Sequence, residues 1–352
     1  MADSTNTSKK TRLNQKFWRV ALGLLVTVIS LYLALREVTW VEVQSAFAQA
    51  DFAYVGWALI STLGIVLARV LRWKVLMAEG GADVPLSRNL MALLAGQALN
   101  LIYPARIGDL SRAYLVDEEG SRRVFMFGTV VLEKLFDALT YVLMFFVLVL
   151  LLPLPAWLSS SGYTFTVLTL ASLGLVFLVA YRLEWFSARL EWLFGRLPPR
   201  FSNRFQTWLS SGLTSLVVLK SRVGLLKLAV LSILVWVIPV FTNHLTLLAL
   251  QIRLPLSVSL LTMIVLQASV AIPSVPGRIG LFQYLCILSL SLFGVAESLA
   301  FTYGVLLHGI ALLPSTLAGL IFLWVLGLQG KRPVRQVLSP GELVEESDRA
   351  EE

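Results

Sequence analysis

The stretch YPARIGDL, residues 103–110, breaks an apolar run, and it returns as VPGRIGLF at residues 275–282. Each copy has parts with separable jobs. Pro104 or Pro276 ends an incoming half-helix, because proline has no N–H to continue the ladder. Gly108 or Gly280 lets the backbone turn where a side chain would clash. Asp109 is placed to cap the helix that leaves the first turn. That leaving helix presents free N–H groups and the positive end of its dipole beside Arg106 or Arg278. The combination makes an anion site, and phosphate is its natural guest.

The surroundings decide what kind of chain carries these turns. Its 352 residues are 57 % hydrophobic and 14 % charged, whereas soluble domains average about 25 % charged. Mean hydropathy is +0.79. Apolar stretches near the roughly 20 residues needed to cross a bilayer recur along the whole length. The chain therefore reads as an integral membrane protein with no sizeable soluble domain. A first apolar run, 17–35, follows a basic leader with Lys9, Lys10, Arg12 and Lys16. It is long for a signal-peptide core and no A-x-A site follows, so a retained helix is expected. The single cysteine, Cys286, lies in an apolar run and can form no intrachain disulfide.

Full spans are expected at 17–35, 53–71, 124–151, 162–181, 228–250 and 299–327. Two shorter apolar pairs, 89–103 with 110–116 and 257–272 with 281–294, flank the two motif copies. The net charge of +8 follows the loops instead of forming a patch, which argues against a nucleic-acid partner. A cytoplasmic N-terminus puts Arg69, Arg72, Lys74, Arg88, Arg112, Arg122, Arg123, the loop 182–227 and Lys331, Arg332 and Arg335 on one side. Only Arg36 and Arg253 then lie opposite, which is the positive-inside pattern. The assignment requires each short pair to enter and leave by the same face as a re-entrant hairpin; proline-kinked crossings are the alternative.

The expected fold is thus an all-α polytopic membrane protein with six full spans plus two re-entrant helical hairpins in two inverted repeats. Its parts are a cytoplasmic basic leader (1–16), a membrane domain (17–330) and a cytoplasmic tail (331–352). Within the membrane domain, repeat one is 53–151, a connector is 183–222 and repeat two is 228–327. The connector shows apolar stripes flanked by Trp and Arg. It reads as interfacial cytoplasmic helices or as a helical hairpin packed on the span ends.

Charges inside spans are costly, about 2.5 to 3.5 kcal/mol each on insertion scales. The chain places several there: Arg106, Asp109, Glu133, Lys134, Asp137 and Arg278. Glu133 and Asp137, four apart, share a helical face. Arg106 and Arg278 either merely neutralise these acids or contact a ligand; their position at turns favours the ligand. His308, in the last span, is placed for a proton or ligand, although a lone helical histidine also serves as hydrogen-bonded packing. His244 with Asn243 reads as interfacial, and the acidic turn 116–120 as solvated. There is no G-x-x-x-x-G-K-[ST] loop, H-E-x-x-H helix or G-x-S-x-G elbow. No cofactor, metal site or catalytic residue is expected.

At NLIYPARIGDLSRAYLV (100–116), VVLEKLFDAL (130–139) and PSVPGRIGLFQ (273–283), the sequence resembles the lysylphosphatidylglycerol synthetase transmembrane family. These are also called flippase-like domain proteins, and they include the membrane half of the multiple peptide resistance factor. The resemblance covers roughly residues 15–330. It implies a domain that moves aminoacylated or glycosylated lipids between leaflets, with Arg106, Gly108, Glu133, Asp137, Gly277, Arg278 and Gly280 along the headgroup path. Two positions depart from the pattern: Lys134 stands where relatives often carry Arg, and His308 where an Arg is expected. The soluble transferase domain of the synthetases is not expected here, since an acidic tail follows the membrane region.

Together these readings point to a transporter in a cell inner membrane, with both termini cytoplasmic. Its partner would be a membrane phospholipid or a polyprenyl-phosphate lipid. The alternatives are a membrane glycosyltransferase or polyprenyl-phosphate-linked enzyme, and a membrane subunit of a separate lipid-modifying enzyme.

Overall fold

A computed structural model describes residues 21–102, 107–117, 122–153, 156–182, 185, 189, 215–269, 272 and 275–328. Among them, every regular element is helical. Helix α1 (Ala21–Leu35) meets α2 (Trp40–Ala48) at a bend of 78°. Then come α3 (Phe52–Glu79), α4 (Leu86–Ile102), α5 (Ile107–Val116), α6 (Arg123–Leu151) and α7 (Ala156–Tyr181). After a short 3-10 turn, Ser215–Lys220, follow α8 (Arg222–Ala249), α9 (Leu256–Ala268), α10 (Leu281–Ser291) and α11 (Glu297–Leu328).

Four described helices, α3, α6, α8 and α11, are long and apolar enough to cross a bilayer, and the bent pair α1–α2 makes a fifth if it is one span. Large apolar side chains stand exposed along them, including Leu63, Val131, Leu150 and Trp324. Such a surface suits lipid and not water. The two pairs flanking the motifs are short. Helices α4 and α5 have 17 and 10 residues, and α9 and α10 have 13 and 11. Each is below the roughly 20 residues that a crossing needs. Within each pair the two helices pack on one another.

The structure corrects one boundary with consequences. Helix α3 continues to Glu79, eight residues past the end expected at 71. Hydropathy reads Arg72 and Lys74 as the exit from the membrane, but Arg72 is wholly buried and the helix runs on through it. Most of the connector 183–222 lies outside the described residues. Of its described part, the 3-10 turn packs on α6 and α7.

The chain divides into two compact units, 1–62 with 239–313 and 63–238 with 314–352. In the second, Trp73, Leu76, Ala95, Ala113, Phe136 and Leu228 form one apolar cluster from five helices. Small residues set its closest approaches, as expected where packing and not water drives helix association. A Cβ on Gly319 would run into the Leu94 carbonyl, and a Cβ on Gly96 would sit 2.6 Å from the Gly108 carbonyl oxygen. In the first unit, the Asp51 N–H donates to the Ala249 carbonyl at 2.8 Å. Ser61 and Thr242 share a hydrogen bond of 2.7 Å, and the Thr39 N–H donates to the Ser298 hydroxyl at 2.9 Å. Cys286 is fully buried there, facing Gly304, where an added Cβ would lie 3.2 Å from the Cys286 Cβ.

Candidate functional site

The second unit holds a buried ion cluster. Helices α3 and α6 run antiparallel from a shared end. The Arg122 guanidinium donates to the Gly81 carbonyl at 2.6 Å, and a Cβ on Gly80 would overlap the Phe125 ring. Ten residues in from that end on α3 is Arg69, and ten in on α6 is Glu133. At 1.5 Å per residue, both lie about 15 Å along their helices. Around this level Arg72 donates to Glu133 Oε1 at 3.0 Å and to Asp137 Oδ1 at 2.7 Å. From α5, Arg112 reaches Glu133 Oε2 at 3.2 Å. Arg72 is 0 % and Arg112 2 % exposed, so these ions survive only because each meets opposite charge.

Neutral groups complete the shell. The Trp236 indole donates to Asp137 Oδ1 at 3.1 Å, and Ser232 lies 3.4 Å from an Arg72 nitrogen. The Arg112 guanidinium stands 4.8 Å over the Trp73 ring, a cation–π contact. The Trp73 indole N–H is in turn fixed by Thr129 at 3.0 Å. The Nε of Arg72, the Nε of Arg112 and Asn100 Oδ1 are buried without a hydrogen-bond partner.

The first motif enters this cluster from one side. Residues 103–106, with Arg106 among them, lie outside the described residues. Gly108 is inside α5, and its hydrogen faces the Gly96 carbonyl and Asn100. It serves close helix packing, where a turn of the backbone is the expectation from sequence. Asp109, in the first turn of α5, accepts from Asn100 at 3.1 Å and pairs with Lys134 at 3.0 Å.

The second motif, in the first unit, is built differently. Gly277, Arg278 and Gly280 have φ of 77°, 56° and 84°, with Ile279 between them at −57°, and a non-glycine residue such as Arg278 enters the left-handed region only at a cost. Arg278 donates to the Leu266 carbonyl and to Ser269 Oγ, both at 3.3 Å. Gly280 begins α10, and its N–H donates to Gln283 Oε1 at 2.8 Å. Gln283 also meets His308 Nδ1 at 3.2 Å, and His308 stacks on Phe282 with centroids 4.3 Å apart. Against α1, a Cβ on Gly280 would sit 3.1 Å from the Leu31 Cβ, and the Val275 N–H donates to Thr27 at 3.1 Å.

Of the candidate residues, Gly108, Asp109, Glu133 and Asp137 thus gather in one unit, and Gly277, Arg278, Gly280 and His308 in the other. Sequence reasoning missed Arg72 and Arg112, which hold the acids, because it counted them as loop charges. For Arg72 the signal is helical spacing: Arg69, Arg72, Trp73 and Leu76 follow i, i+3, i+4, i+7 and so mark one face. Among the described residues, no group of three His, Cys, Asp or Glu is placed to hold a metal.

A family described as the lysylphosphatidylglycerol synthase TM region matches residues 20–319. The chain belongs to that family. It is also similar to the glycosyltransferase AglD of Haloferax volcanii, with 32 % identity over 124 residues, or 34 % of this chain and 20 % of that protein. The match thus spans about a fifth of that relative's length. No solved structure matches the chain. Membership in the lysylphosphatidylglycerol synthase TM-region family fits an all-helical, multi-pass membrane protein with a lipid-related role.

Proposed function

We propose that the protein moves a phosphate-bearing lipid, which can be aminoacylated or glycosylated, between the leaflets of a cell inner membrane. The observation that carries this reading is the buried ion cluster about 10 to 15 Å in from the shared end of α3 and α6, where Arg72 and Arg112 share Glu133. A phosphate reaching such a cluster can take a guanidinium from a carboxylate without leaving any ion uncompensated, since one anion replaces another. Arg112 is the better placed to exchange: it holds one acid, at 3.2 Å, whereas Arg72 holds two, at 3.0 and 2.7 Å. Arg278 offers a second cationic turn in the other unit. The acyl chains stay in the bilayer throughout.

In this reading α4–α5 and α9–α10 are re-entrant hairpins of two inverted repeats, 53–151 and 228–327, with six full spans and cytoplasmic termini. Alternating exposure of the headgroup follows from motion of broken helices, as in other repeat-built transporters. The family and the short paired helices support it.

A leaflet-sidedness assay in liposomes tests the proposal. The wild type should expose fluorescent phosphatidylglycerol to an impermeant quencher faster than protein-free vesicles, and Arg278→Ala should slow it about tenfold. If the wild type and Arg278→Ala both stay at background for every headgroup, the transport reading fails. The similarity to a glycosyltransferase favours a second reading, sugar transfer on a polyprenyl phosphate. That reading predicts labelled glycolipid from a sugar donor and lipid acceptor in detergent.

A further inference from the structure

The charges around Glu133 do not cancel. Among the described side chains, Arg69, Arg72, Arg112 and Lys134 oppose Asp109, Glu133 and Asp137. Arg72 is tied to Glu133 and Asp137, Arg112 to Glu133, and Lys134 to Asp109. Arg69 makes no hydrogen bond or ion pair with any described residue, although Asp137, Glu133, Asp109 and Arg72 all act on it electrostatically. The residue as a whole is half-buried, while its guanidinium is set deep among these charges.

Its depth makes this surplus informative. Arg69 is the eighteenth of the 28 residues of α3, about 5 Å from the helix midpoint at 1.5 Å per residue. A cation left there needs an anion or water beside it. The guanidinium fork matches two oxygens of one phosphate.

We propose that Arg69 takes the phosphate of the transported lipid, as the cation left over once Arg72, Arg112 and Lys134 are each bound to an acid. This deepens the transport reading above and rests on it. The carboxylates of Asp109, Glu133 and Asp137 then act as a fence: they repel a second anion and keep the neighbouring cations occupied until the headgroup arrives.

The test uses the full chain in detergent and in phosphatidylcholine liposomes, as wild type, Arg69→Gln and Arg69→Lys. Because Arg69 holds no partner, Arg69→Gln should melt at or above the wild-type temperature, which separates a binding role from a structural one. Phosphatidylglycerol should raise the melting temperature of the wild type but not of Arg69→Gln, since a ligand stabilises only the state it binds. In liposomes Arg69→Gln should translocate fluorescent phosphatidylglycerol at least tenfold more slowly, with Arg69→Lys between the two. Equal phosphatidylglycerol shifts, or equal translocation, in wild type and Arg69→Gln overturn the assignment while transport stands. An Arg69-dependent shift with inorganic phosphate that phosphatidylglycerol fails to reproduce overturns the lipid assignment. A wild type that translocates nothing removes the transport reading itself.

Discussion

The two copies of the motif have nearly the same letters and opposite construction. The copy leading into α5 works through side chains: Arg112 and Asp109 project from a regular helix into charge pairs, and Gly108 serves to bring α5 against α4. The copy leading into α10 works through backbone: three left-handed residues form the turn, and Arg278 is met by a carbonyl and a hydroxyl. Asp109 has no counterpart in the second copy, where Leu281 follows Gly280. The letter after the glycine thus marks the difference: Asp109 pairs with Lys134, and Leu281 brings no charge.

The contrast can be broken experimentally, and the largest effect belongs to the ionic side. Glu133→Leu leaves Arg72 and Arg112 buried without their shared acid and should cost about 3 to 5 kcal/mol. It should show as a lower Tm in detergent than Arg278→Ala, and equal melting of the two would erase the distinction drawn here. Next, Trp236→Phe removes a donor to the charged Asp137 and should cost about 1.5 to 3 kcal/mol, read in the same melt. Gly108→Ala and Gly280→Ala sharpen the comparison of backbones. The first drives a methyl into the Gly96 carbonyl, an overpacking of about 1 to 3 kcal/mol. The second adds strain of about 1 to 2 kcal/mol from left-handed φ, with a tight contact at Leu31. Replacing Gly96 cannot rescue Gly108→Ala, because the obstacle is backbone. The smallest effect is expected for Gln283→Leu, about 1 kcal/mol, from leaving the Gly280 N–H unpaired and removing one of the contacts of His308.

Much of this architecture was legible in the residues. The long apolar runs, the paired short helices and the shared face of Glu133 and Asp137 all follow from periodicity and length. What was not legible is who pairs with whom. Hydropathy treats the cluster Arg69, Arg72 and Lys74 as the way out of the membrane, so it ends α3 at 71 and counts Arg72 with the loop charges, although Arg72 is wholly buried and bonded to two carboxylates. Arg112 was misassigned for the same reason. The function of Gly108 escaped because a glycine after a proline reads equally as a turn or as a contact surface. Only the position of Gly96 on the neighbouring helix decides between them.

Cys286 offers a practical return. It is the one thiol in the chain and is sealed against Gly304, out of reach of aqueous maleimides. A cysteine introduced at an exposed loop position would therefore be the sole reactive sulfhydryl, with no need for a thiol-free parent. Labelling such variants from either side of intact cells with an impermeant reagent would map sidedness loop by loop.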